Sequence, residues 1–278
     1  MGNFAKQTLF GAVFLAAGVA QAMAADIYEP PIVEAPPPVV YDEPVDFGGW
    51  YIRGDLDYHA SGWIGARYIT YGPPPGSNTF TRGSLDSSFS LGGGVGYQAS
   101  KYLRTDLTID WMGKSNFRGS TTGICNGNVV CVSDDRSSYS ALLLLANAYA
   151  EFGTWHGITP YIGAGIGGAY VKWDRLRNTN QDGTTIHGGA SSWRFAYALM
   201  AGASYCLTNN LKLDVGYRYS RIGQGRMFHY ANNGGPGFDR GFHIHEGRAG
   251  LRYQFGGANS CAEPEPYVPE IVEPPVYK

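Results

Sequence analysis

Between Trp193 and Arg221 the chain reads WRFAYALMAGASYCLTNNLKLDVGYRYSR, with large apolar side chains at every second position on both sides of a short LTNN turn. One set holds Trp193, Phe195, Tyr197, Leu199 and Tyr205, then Leu211, Leu213, Val215, Tyr217 and Tyr219; the other holds Arg194, Lys212, Asp214 and Arg218. Strict period-2 alternation puts the two sets on opposite faces of a strand. About 9 to 11 residues is the length a tilted strand needs to cross a bilayer, and aromatic residues near strand ends suit an interfacial girdle. The hairpin therefore reads as one face for lipid and one for charge, although a soluble sandwich also alternates.

The start of the chain indicates a compartment. Lys6 precedes the uncharged apolar run Leu9 to Ala20, and Ala22-Met23-Ala24 offers a small-x-small cleavage site, so residues 1–24 read as a secretory signal. Beyond it no stretch is long and apolar enough for a membrane helix, so any crossing must use strands. The 40 glycines and 14% aromatic content suit many strands joined by flexible connections.

Residues 25–48 form an acidic, Pro-rich linker: Asp26 to Asp46 holds six acidic residues, six prolines and no basic residue. Such a segment favours extended polyproline II over packed core. Residues 256–278 repeat the same Tyr, Glu, Pro and Val vocabulary as a second acidic tail. Between them, residues 49–255 contain eight alternating stretches: Gly49 to Tyr58, Ser87 to Gln98, Leu103 to Gly113, Ser138 to Phe152, Thr159 to Trp173, Trp193 to Cys206, Leu211 to Arg221 and His245 to Phe255. The connections after the second, fourth and sixth are short, and the others long and rich in Gly, Ser, Asn and Arg. Sorting of connection length by side is the mark of an outer-membrane barrel with short periplasmic turns and long outer loops. The expected fold is an all-β, eight-stranded antiparallel up-and-down barrel with extracellular loops and both termini periplasmic.

Four cysteines in an exported chain suggest disulfides. In this topology Cys206 and Cys261 fall on the periplasmic side and Cys125 and Cys131 share one outer loop, which predicts pairs 206–261 and 125–131; the competing reading is free thiols. Taking the apolar positions as lipid-facing leaves fourteen inward charges: Arg53, Asp55, Asp57, Arg104, Asp106, Asp110, Glu151, Arg194, Lys212, Asp214, Arg218, Glu246, Arg248 and Arg252. Seven are basic and seven acidic. An eight-stranded interior is just wide enough to be filled by side chains, and buried charges persist when paired. A balanced lumen reads as an ion-pair plug, with a narrow conducting path as the alternative. Inward parity over Ser138 to Phe152 stays open, because Leu142 to Leu145 is apolar on both faces.

LRYQF (Leu251 to Phe255), PYIGAGIG (Pro160 to Gly167), NAYAEFG (Asn147 to Gly153) and LKLDVGYRY (Leu211 to Tyr219) resemble the OmpA/OmpX-type eight-stranded outer-membrane barrels, especially the small surface antigens of intracellular bacteria and plant symbionts. The resemblance implies assembly by the barrel-assembly machinery, which reads a closing aromatic at the chain end; here a tail follows Phe255, a departure from that pattern. It also implies, for some relatives, a covalent tether to peptidoglycan through a mature N-terminus like Ala25-Asp26.

Other motifs carry less. Gly163, Gly165 and Gly168 have dinucleotide-binding spacing but lie inside a strand, not at a strand-to-helix turn. Their expected role, like that of Gly92 to Gly94, is to make room for bulky inward neighbours. His229, His243 and His245 lack further well-spaced ligands for zinc. No serine carries a nucleophile motif, so an enzyme is not expected, nor a cofactor, nor a nucleic-acid partner. The outer loops are weakly basic: Arg67, Arg82, Lys114, Arg118, Arg136, Arg175, Arg177, Arg226 and Arg240 outnumber Asp86, Asp134, Asp135, Asp182 and Asp239. Such a rim suits contact with lipopolysaccharide phosphates or acidic glycans, or simply solvent, and Tyr68, Tyr71, Phe80, Phe228, Tyr230 and Phe238 would add contact area. The expected role is structural, in envelope integrity and surface presentation; a passive channel and an adhesin are the alternatives.

Overall fold

The computed structural model describes residues 48–256, apart from 73–74, 127–128 and 233. The expected signal peptide, most of the linker, the tail, Ala25, Asp26 and Cys261 lie outside the described residues. Eight long strands, Gly49–Trp63, Ser88–Gln98, Leu103–Ser120, Asp134–Glu151, Ile158–Trp173, Ser191–Cys206, Leu211–Ile222 and Phe242–Phe255, follow one another around a ring. Each pairs antiparallel with its sequence neighbours, and the first pairs with the eighth, Trp50 opposite Phe255 and Trp63 opposite Phe242, so the sheet closes on itself. Closure removes every edge, as membrane-spanning strands require.

The alternation of the sequence becomes inside and outside. In the first strand Tyr51, Arg53, Asp55, Asp57 and His59 are buried, whereas Trp50, Ile52, Leu56 and Tyr58 are exposed. Trp193, Phe195, Tyr197 and Leu199 line the outer wall of the sixth. The open parity of the fourth strand resolves with odd positions inward: Tyr139, Leu143, Leu145, Tyr149 and Glu151 are buried. Gly92 and Gly165 face inward, where an added Cβ would lie 2.1 Å from Asp110 Oδ1 and 2.0 Å from Asn147 Oδ1, so these glycines hold space for lumen side chains. Gly168 departs from that expectation, because it lies on the outer wall beside Trp193.

The strands run further at the long-connection end than their alternation indicates. The third continues to Ser120 and the fourth begins at Asp134. In the third, a bulge between Met112 and Ser115 explains the missed length. Met112 and Gly113 are consecutive buried positions, so inward parity switches from even to odd.

The long connections are themselves built of strands. Arg82–Leu85 pairs with the third barrel strand and Leu176–Asn180 with the fourth and with Gly183–His187. Gly225–Phe228, Gly234–Asp239, Ala66–Thr70 and Gly76–Thr79 make a separate four-stranded sheet joining the first and last long connections. A hairpin of Thr122–Cys125 and Val129–Val132 completes this crown.

Candidate functional site

Two regions concentrate chemistry: the interior of the ring and the crown. All fourteen inward charges are buried, each with 7% or less of its surface exposed. Toward the short-turn end, Arg104 Nε donates to Glu151 at 2.7 Å, and Arg252 pairs with Asp214 at 3.2 Å and with Glu151 at 3.6 Å. The Arg104 guanidinium also lies 3.8 Å from the Tyr149 ring centroid, so an aromatic face takes part of its charge. In the middle, Arg53 pairs with Asp55 at 2.7 Å and with Asp106 at 3.0 Å. Arg248 reaches Asp55, Asp57 and Asp110 at 3.1, 3.2 and 3.4 Å. Above it, Arg218 donates to Glu246, Asp110 and Asp57 at 2.5, 2.8 and 3.3 Å. Arg218 stands on the seventh strand and Asp110 on the third, across the ring from each other.

Two of the fourteen sit apart from this network. Lys212 is buried but forms no ion pair among the described residues. Arg194 pairs at 2.6 Å with Asp239 of the crown sheet, which also accepts from Trp173 Nε1 at 3.0 Å. Asp239 is therefore 1% exposed, not a solvated loop charge as its Gly-rich surroundings suggest. Asp135 is likewise buried, accepting from Ser133 at 2.8 Å and from Asn178. His59, overlooked in the sequence because it is formally neutral, is buried between Ser90 and Ser115 at 2.8 and 3.2 Å.

Above the ion pairs the ring is filled by a second, apolar layer. Tyr139 stacks on Phe242 with centroids 4.6 Å apart, Trp63 meets Phe117 at 4.7 Å, and Phe117 meets Trp173 at 5.8 Å. Met112, Leu143 and Ile244 are buried in the same cluster. Sequence pattern hid part of this layer, because Trp63, Phe117, Phe242 and Ile244 stand on strand extensions beyond the alternating stretches.

In the crown, Cys125 and Cys131 form a disulfide. Cys206 ends the sixth barrel strand and is not a free thiol, whereas its expected partner Cys261 lies outside the described residues. Phe228 is 2% exposed and packs against Phe80 at 6.3 Å, so it belongs to the crown's core and offers no contact surface. His243 and His245 stand on the outer wall bonded to Tyr219 and Tyr217, and no metal-binding group of His, Cys, Asp or Glu occurs among the described residues. His187 is 7% exposed, with Nδ1 3.1 Å from the His229 carbonyl; burial holds its pKa below the usual histidine value. Asp174, beside Lys114 at 2.7 Å, is held below the ordinary carboxylate range by that hydrogen bond.

Residues 11–255 match the family described as outer membrane protein beta-barrel domain. An uncharacterised protein of Brucella abortus is 38% identical over 277 residues, covering 87% of this chain and 95% of that protein. A candidate adhesin of Rickettsia conorii is 30% identical over 166 residues, 58% of this chain and 65% of its own length. Among solved structures, the outer membrane protein OprG of Pseudomonas aeruginosa is similar at 18% identity, with a TM-score of 0.46, over 76% of this chain and 97% of that one.

Proposed function

Because the chain belongs to the outer membrane β-barrel family and so resides in the outer membrane of a Gram-negative cell, we propose that it is a closed, non-conducting barrel that serves the envelope structurally and holds a folded crown at the cell surface. One observation carries this reading. Arg218 joins carboxylates from the first, third and eighth strands across the interior, and the Tyr139–Phe242 layer lies above them. An ion on this path would have to separate buried pairs whose charges would then stand unpaired, a cost of several kcal/mol for each broken pair. In planar bilayers the purified barrel is expected to give no single-channel steps; repeated unitary steps abolished by heat denaturation would overturn the proposal in favour of a passive channel.

A second reading, binding at the surface through the crown, is supported by the β-structured connections, the 125–131 disulfide and the candidate-adhesin description of the Rickettsia relative. A crown that served only as solvated loops would have no need of a core in which Phe228, Leu176 and Met227 are buried.

A further inference from the structure

We propose that the crown carries a binding cleft for a neutral saccharide. This rests on the surface-display reading of the barrel and adds the class of ligand. All four long connections meet at one depression of about 310 Å³, at the lower end of the range of small-ligand sites, about 300–1,000 Å³. A space of that size takes a terminal sugar or two, not the length of a polymer.

The chemistry of the walls selects the ligand. One side is aromatic: Tyr68 and Phe80 line it with ring centroids 5.9 Å apart, and the buried Phe228 backs Phe80 at 6.3 Å. The other side presents Asn178, Asn180 and Thr185, whose amides and hydroxyl each donate and accept. A hexose ring has an apolar C–H face and a rim of hydroxyls that donate and accept, which is the complement of these two walls. Among the described residues lining the cleft there is no Asp, Glu, Lys or Arg. The nearby carboxylate, Asp135, is fully buried, with its oxygens taken by Ser133 and Asn178. Those bonds fix the orientation of two lining side chains before any ligand arrives, which lowers the ordering cost of binding. A sulfated or phosphorylated ligand would enter with no cation to meet it, and desolvating an unpaired anion is expensive.

Gly123 allows a clean test. It lines the cleft, and an added Cβ would meet nothing within 4 Å. Gly123→Trp therefore adds an indole at the cleft wall from a Cβ that meets no neighbour. Full-length protein in detergent micelles would be titrated by ligand-observed NMR with lactose, maltose and N,N′-diacetylchitobiose, against a sulfated heparin disaccharide and inorganic phosphate. At least one neutral disaccharide is expected to saturate. Its affinity should fall by about tenfold or more with Gly123→Trp and about threefold to tenfold with Thr185→Val, the loss of one hydrogen bond, and return with Thr185→Ser. The proposal is overturned if no neutral disaccharide saturates, if Gly123→Trp leaves binding unchanged, or if only the anionic probes bind. Heat-modifiable migration of every variant reports an intact barrel. Failure of saccharide binding by intact barrels removes the ligand assignment, whereas a crown that added trypsin cannot reach on whole cells would remove the surface-display reading on which it rests.

Discussion

Arg218 shows how much one lumen side chain can hold. It is fully buried and bonded to Asp57, Asp110 and Glu246 on three other strands. Removing one partner of a buried ion pair costs about 3–5 kcal/mol, because the abandoned charges stay buried. Arg218→Ala is expected to lose at least that much in urea titrations followed by tryptophan fluorescence, whereas Lys114→Ala, whose pair with Asp174 is largely exposed, should lose less than about 1 kcal/mol. Equal losses would show that the interior charges are solvated. In the crown, His187 binds its proton less readily folded than unfolded, so the unfolded state takes up more protons as pH falls through the ordinary histidine value of about 6.5. Its stabilising contribution is complete above that value and shrinks below it. Trypsin should cleave the crown faster at pH 5 than at pH 7.5 after correction for protease activity, and His187→Phe should reduce the difference. The charges on the barrel wall were legible from alternation alone. Asp239, the partner of Arg194, was not, because it stands in GGPGFDRG, where no period marks a face.

At the level of elements, the third strand is the instructive one. Below the bulge, Arg104, Asp106 and Asp110 point inward and Leu107, Ile109 and Trp111 outward; above it, Ser115 and Phe117 point inward while Lys114, Asn116 and Arg118 point outward. Gly113 allows the switch, since an added Cβ would come within 2.7 Å of the Phe89 carbonyl oxygen. Gly113→Val keeps the residue count but crowds the Phe89 carbonyl, so the bulge is lost and one parity runs throughout. It would drive Lys114 and Arg118 toward the Trp63–Phe117 cluster or break the pairing above Met112. Limited trypsin digestion is expected to remove the crown while the lower barrel stays protected; a crown as resistant as the wild type would contradict the parity switch at Gly113. All eight strands and all three short turns could be read from the sequence, because lipid on one side and charge on the other enforce period 2. Above the bulge both faces are mixed in polarity, so the strand extensions and the crown sheet left no comparable signal.

For the molecule as a whole, closure of the ring, pairing of the interior and folding of the crown divide the chain into a lower part written for lipid and an upper part written for water. Trp111 and Tyr170 are outward-facing aromatics on the third and fifth strands, and Lys114 and Lys172 lie one step beyond them, both opposite the stretch around Ser140 of the fourth. Aromatic rings settle at the interface between hydrocarbon and headgroups, and ammonium groups resist submersion. The switch at Met112 and Gly113 thus marks a waterline on the wall of the barrel. A thicker bilayer could not simply ride up past it, since the next outward side chains are Lys114, Asn116 and Arg118. The membrane would have to thin locally around the protein, so the height at which the crown floats above the lipid is set by the chain itself and not by the bilayer that receives it.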